Sequence, residues 1–167
     1  HAVSTYKESK AISGGWPGAA SRNIEARLGG EVLFLQGCAG DVVPSRRGLD
    51  ATEAMGEFYG ERVQAAHERR HPLPAAKLSV ARDSLAMPVA PEHREGWDTT
   101  SKKTEVQVIS YGGLAIVGLP GEPLVGIAKA IQDRSDLPHT VVLGYTNGGA
   151  LGYVGMPGEL GRGGYES

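Results

Sequence analysis

One cysteine, Cys38, is all the thiol chemistry the chain has. A lone cysteine closes no internal disulfide, so the redox compartment stays open. No apolar run approaches the roughly 20 residues that a helix needs to cross a bilayer, so no transmembrane segment is expected. No basic run is present either. With 17 Lys and Arg against 19 Asp and Glu, the net charge is −2, which exerts no pull toward nucleic acid or an anionic membrane surface. Internal repeats and low-complexity tracts are absent. No leader peptide is recognisable, which says little, because the chain starts at His1 with no initiator methionine. It therefore reads as a fragment lacking an upstream segment of the same protein.

What is there suits one ordinary domain. The length is 167 residues, with 40% hydrophobic and 22% charged residues, enough to bury a core. The 25 glycines fall in pairs and short motifs, as expected of tight turns and of close backbone approach to a site. Gly18 to Leu28 can form a helix closed by Gly29-Gly30. Glu31 to Gln36 (EVLFLQ) is an apolar run expected to be a buried strand. Asp50 to Arg70 is the clearest helix. Asp50 is placed to cap it, with Glu53 three residues on, and Met55, Phe58, Tyr59, Val63 and Ala66 form the expected buried face. Lys77 to Val89 reads as a strand, and Pro91 to Lys103 as a surface loop. Glu105 to Ser110 and Leu114 to Gly118 flank a Tyr111-Gly112-Gly113 hairpin turn. Glu122 to Arg134 reads as a helix and Thr140 to Tyr145 as a buried strand, followed by a glycine-rich end. Interleaved helices and strands of this kind predict an α/β fold, a mixed α+β layered sheet with flanking helices, over residues 1–167 as a single domain.

Two constellations could carry chemistry. His67-Glu68-Arg69-Arg70-His71 matches HExxH, which on a helix presents two imidazoles to zinc with the glutamate as general base. Arginines at both middle positions oppose a dication, and Pro72 ends the helix at the second histidine. The plainer reading is a solvated, cationic helix C-terminus. The second constellation is three loops, Leu35 to Pro44, Val117 to Pro123 and Gly144 to Glu166, each just past an expected strand. Loops so placed converge at one sheet edge, so Asp41, Glu122, Tyr153 and Tyr165 could meet. Singly, each has a mundane reading: an Asx turn for Asp41, a helix N-terminal charge for Glu122, half-buried aromatics for the tyrosines.

Together, these loops and the first segment resemble the neutral/alkaline (non-lysosomal) ceramidase family, in its bacterial ceramidase-like members. The resemblance rests on His1-Ala2-Val3, on Ser13-Gly14-Gly15-Trp16-Pro17-Gly18, and on Phe34-Leu35-Gln36-Gly37 with Gly40-Asp41 and Pro44. It continues through Leu119-Pro120-Gly121-Glu122, Asn147, Gly152-Tyr153 and Gly164-Tyr165-Glu166, in the family's order over most of the chain. It implies a metallohydrolase-type domain, of which residues 1–167 are the later part. The family binds catalytic zinc (Zn2+) through two histidines, a glutamate and a tyrosine. Carried over, the metal ligands are His1, Glu122 and Tyr153, with the first histidine upstream. Tyr165, twelve positions after Tyr153, falls near the reacting carbonyl, and Asp41 joins the catalytic group as an orderer of its loop more than as a base. The implied activity is zinc-dependent hydrolysis of a ceramide-like N-acyl amide, or a related acyl bond, through metal-activated water. The substrate would be a small-molecule or lipid amide of sphingolipid type, and an exported or periplasmic location is mildly favoured. Two departures bear on the substrate. Val43 stands where ceramidases carry a serine, Ser45 lying beyond Pro44, and the stretch from Leu73 to Glu105 is short. Val43 supports the alternative of a non-catalytic binding domain on the same scaffold. The 167-residue fragment by itself is expected to bind zinc weakly and to be inactive.

Overall fold

A computed structural model describes residues 2–5, 10, 12–88, 101–147 and 151–166. The chain divides into two compact units. One comprises His1–Leu35 and Val42–Pro72, the other Gln36–Asp41 and Leu73–Ser167.

The first unit is a helix pair. Helix α1 spans Gly15–Leu28 and ends at Gly29, as the sequence predicts. Helix α2 spans Leu49–Glu68. Its start corrects the capping expectation: Gly48 is the cap residue, no side chain caps it, and Asp50 lies in the first turn. Its buried face is also displaced from the expected one. Thr52, Gly56 and Gly60 are buried, whereas Phe58 and Val63 remain 51% and 37% exposed. Residues four apart share a helix face, and here the small ones let two backbones approach. A β-carbon at Gly56 would sit 2.6 Å from Ala19 Cβ, and one at Gly60 would sit 2.9 Å from Asn23 Cβ. Tyr59 stacks on Trp16 of α1 at 4.7 Å, and Phe34 meets that indole edge-on at 5.3 Å. The run Glu31 to Gln36 is not a strand. Leu33 and Leu35 are 86% and 57% exposed, and the run joins no ladder among the described residues. Its backbone groups are met singly instead of by a ladder: Val32 N–H donates to Glu25 Oε1 at 3.0 Å, and the Gln36 carbonyl accepts from Gly144 N–H at 3.1 Å.

The second unit is built on a four-stranded sheet whose strands lie in the order Ser79–Pro88, Ser101–Tyr111, Leu114–Gly118, His139–Leu143. Strands β1 (Ser79–Pro88) and β2 (Ser101–Tyr111) pair antiparallel, so residues 101–103 are strand and not loop. The rest of the expected loop, residues 91–100, lies outside the described residues. The turn Gly112-Gly113 joins β2 to β3 (Leu114–Gly118), with Tyr111 opposite Leu114. Both glycines have positive φ, +56 and +90, the conformation that a two-residue hairpin turn demands. Strand β4 (Glu122–Pro123) and helix α3 (Val125–Asp133) then cross to β5 (His139–Leu143), which runs parallel to β3. Parallel neighbours need such a crossover. Strand β6 is Tyr153–Val154, followed by a 3-10 turn at Leu160–Arg162. The core is Cys38, Val117 and Val142, with Val108, Leu119 and Ile131 packed against them.

Candidate functional site

Glu122 was expected at a helix start. It lies instead in β4, because Pro123 is fully buried in an extended segment and α3 begins only at Val125. The consequence for the site is direct. β4 pairs in parallel with β6, and Glu122 is the register partner of Tyr153. Glu122 N–H donates to the Gly152 carbonyl at 3.0 Å, and Leu124 N–H to that of Val154 at 2.9 Å. Register partners on adjacent strands project their side chains to the same face. A carboxylate and a phenol 31 residues apart in sequence are thereby set side by side.

Tyr165 joins them. Its ring meets that of Tyr153 edge-on at 6.2 Å between centroids, and it is 86% exposed. The loop of Gly40 and Asp41 packs against the same segment. Gly40 N–H donates to the Pro123 carbonyl at 3.0 Å. Asp41 Oδ1 accepts from Val125 N–H at 2.9 Å, which satisfies one of the orphan donors at the start of α3. Asp41 therefore orders the junction between the loop and α3. Behind it, burial and then the charge of Asp41 push the Cys38 thiol up to about 11.

The electrostatics are set by the carboxylates of Glu122 and Glu166. The Tyr153 phenol is pushed above its ordinary value, by burial first, then by the charge of Glu122, then by Tyr165 and Glu166. No sequence motif assigns a role to Tyr145. Its hydroxyl hydrogen-bonds the Glu122 side chain and its pKa is raised, by desolvation of the hydroxyl first and then by that bond, although 46% of the residue as a whole is exposed. Nothing in the local sequence signals this, because the contact depends on Tyr145 taking φ +57, a conformation that a tyrosine side chain does not advertise.

Of the expected metal ligands, Glu122 and Tyr153 are together and His1 lies outside the described residues. Among the described residues no group of three His, Cys, Asp or Glu side chains is clustered. The pair that is present fits part of a zinc site. A carboxylate is an ordinary zinc donor, and a neighbouring negative charge that discourages phenolate formation is the environment a cation would reverse. His67 and His71 do not form a second site. Helix α2 ends at Glu68, so His71 is not one helical turn above His67, and Arg70 Nη1 donates to the His67 carbonyl at 2.8 Å.

An open apolar groove of about 460 Å³ runs beside α3, lined among others by Val108, Ala115, Ile127, Ile131 and Met156. No described helix is long and apolar enough to cross a membrane.

No protein-family model matches the chain, and no curated protein matches it. Solved structures do. Neutral ceramidase from Pseudomonas aeruginosa superposes with a TM-score of 0.73 at 19% identity, over 99% of this chain and 39% of that one. A ceramidase complexed with C2 superposes with a TM-score of 0.74 at 16% identity, over 99% and 40%. The chain spans about two fifths of the length of these proteins. The resemblance carried by its motifs extends to three dimensions: over nearly all of its length, this chain has the mixed α/β fold of the neutral ceramidases.

Proposed function

We propose that the protein carrying this chain is a zinc-dependent hydrolase of an N-acyl amide. The observation that carries the reading is the register pair of Glu122 and Tyr153, with Tyr165 at 6.2 Å from Tyr153, on a ceramidase fold. Glu122 and Tyr153 would hold the metal by their oxygens. Bound zinc supplies a Lewis acid that polarises a carbonyl and makes water acidic near neutral pH. The chain's own groups do the rest. Tyr165, exposed and next to Tyr153, donates a hydrogen bond toward the oxygen on which charge develops, a contribution of ~3 kcal/mol by comparison with other such donors. Asp41 holds the start of α3 and thereby the strand that carries Glu122. Val43, where the resemblance places a serine, carries no hydroxyl, which supports water as the attacking group. An apolar acyl chain as part of the substrate is supported by the groove beside α3, whose lining includes Met156, three residues after Tyr153.

The test is turnover of a fluorogenic N-acyl amide by the natural protein. A strong chelator is expected to abolish hydrolysis and added zinc to restore it, and Glu122→Gln to lose both metal and turnover. Hydrolysis that persists in the chelator overturns the proposal. Val43 favours one other reading, a non-catalytic domain that binds the same class of amide. Ligand binding equal in the parent and Glu122→Gln proteins, with no turnover in either, would establish it.

A further inference from the structure

The turn after β5 is fastened to the segment that carries Glu122. Tyr145 N–H donates to the Gly121 carbonyl at 3.0 Å, and Thr146 N–H and Oγ1 both donate to the Leu119 carbonyl at 3.0 Å. Tyr145 itself takes φ +57 and Asn147 takes φ +60, the described residues other than glycine that lie in the left-handed region. A tyrosine pays a steric penalty there, and such strain persists only where surrounding contacts impose it, most often at functional sites. What it achieves here is specific: the phenol hydroxyl reaches the Glu122 side chain. Hydrogen bonds from a neutral donor to a carboxylate are short and strong, and they fix its orientation.

We propose that Tyr145 is a positioning residue, which uses a strained backbone to hold the Glu122 carboxylate in the orientation it presents beside Tyr153. The inference rests on the reading of Glu122 as a zinc ligand. Carboxylates that ligate metals are commonly oriented by a hydrogen bond from outside the coordination sphere, and loss of that bond costs about 10- to 100-fold in metal affinity. Tyr145 fills that position from a different strand end than either donor.

The experiment is a zinc titration of the natural protein, with whatever sequence precedes His1, against a competing chelator. The parent, Tyr145→Phe and Tyr145→Gly proteins are compared, and the metal-free forms are melted in parallel. Tyr145→Phe is expected to bind zinc 10- to 100-fold more weakly with an unchanged metal-free melting temperature. Tyr145→Gly is expected to weaken zinc binding by as much while melting no lower, because glycine adopts the same φ without strain. A merely structural tyrosine would give the converse, a lower melting temperature and an unaltered zinc affinity, and that result overturns the proposal. Tight zinc binding by the parent with affinities within twofold for both variants also overturns it and leaves the metal reading of Glu122 standing. A parent that binds no zinc overturns that reading and the positioning role together.

Discussion

Gly40 and Glu122 meet backbone to backbone: a β-carbon at position 40 would lie 2.6 Å from the Glu122 carbonyl oxygen, and 3.2 Å from Tyr153 Cδ1. Neither a carbonyl in a strand ladder nor a ring packed on its neighbour yields cheaply. Gly40→Ala is expected to destabilise the second unit by about 1–3 kcal/mol and to displace the donor pair. Thermal melting reads the first effect. On the proposed zinc reading, metal affinity reads the second, and should fall even at temperatures where the variant is fully folded. A variant with parental melting and parental affinity would show that the loop is slack.

Asp41 separates a cap from a base. Asp41→Ala is expected to cost about 0.5–2 kcal/mol, through loss of the acceptor for Val125 N–H. Asp41→Asn keeps an acceptor oxygen and should restore most of that stability. It should also keep turnover within a few-fold. A loss of roughly 100-fold or more in a stable Asn variant would instead assign Asp41 to proton transfer.

The helix pair makes its own demand. Gly56→Ala gains helix propensity of up to about 1 kcal/mol, yet its new methyl would meet Ala19 Cβ at 2.6 Å and the Ala19 carbonyl carbon at 2.7 Å. Backbone contact of that kind outweighs the propensity gain, so the first unit is expected to melt at a lower temperature. Ala19→Gly in the same protein should recover part of the loss, which excludes a simple backbone entropy effect.

Cys38 gives a pH dependence. Its thiol is raised from 9.0 to about 11 by burial and by Asp41, so the folded state holds the proton over a range where the unfolded state releases it. Stability from this group is complete below pH 9.0 and falls as the pH climbs toward about 11. Denaturant titrations at pH 8 and pH 10.5 are expected to show the decline, and Cys38→Ala to flatten that part of the profile. Thiol reagents at pH 8 should label the native protein far more slowly than the denatured one.

Much of this was legible in residues that speak locally. The Gly112-Gly113 hairpin, the end of α1 at Gly29 and the breakdown of the helix before His71 follow from turn and capping chemistry. The fold itself was legible through motif order, and the ceramidase structures share it. The misses are tertiary. EVLFLQ has the composition of a strand, but composition does not supply a partner. The face of α2 was assigned to its large residues, while close approach to α1 selected Thr52, Gly56 and Gly60. Glu122 looked like a helix start because Pro120-Gly121 precedes it, yet the register with Tyr153 claims it for a strand. Tyr145 was invisible because its contact with Glu122 comes with a backbone angle that tyrosine rarely adopts.

The two-residue ladder of β4 and β6 also has a kinetic meaning. It joins residues 31 positions apart, and closing a loop of that length costs about 3 kcal/mol of chain entropy. So short a ladder cannot offset this by itself. The pairing of Glu122 with Tyr153 is therefore expected to form late, once helix α3 and β5 have docked, and to be among the first contacts to open. Such a clasp opens by local fluctuation without unfolding the sheet. A cation held between its two sides would shut it by mass action, to a degree set by the free metal concentration. Amide exchange at Glu122 and Leu124 would therefore slow as zinc is raised, while exchange within β2 and β3 would not.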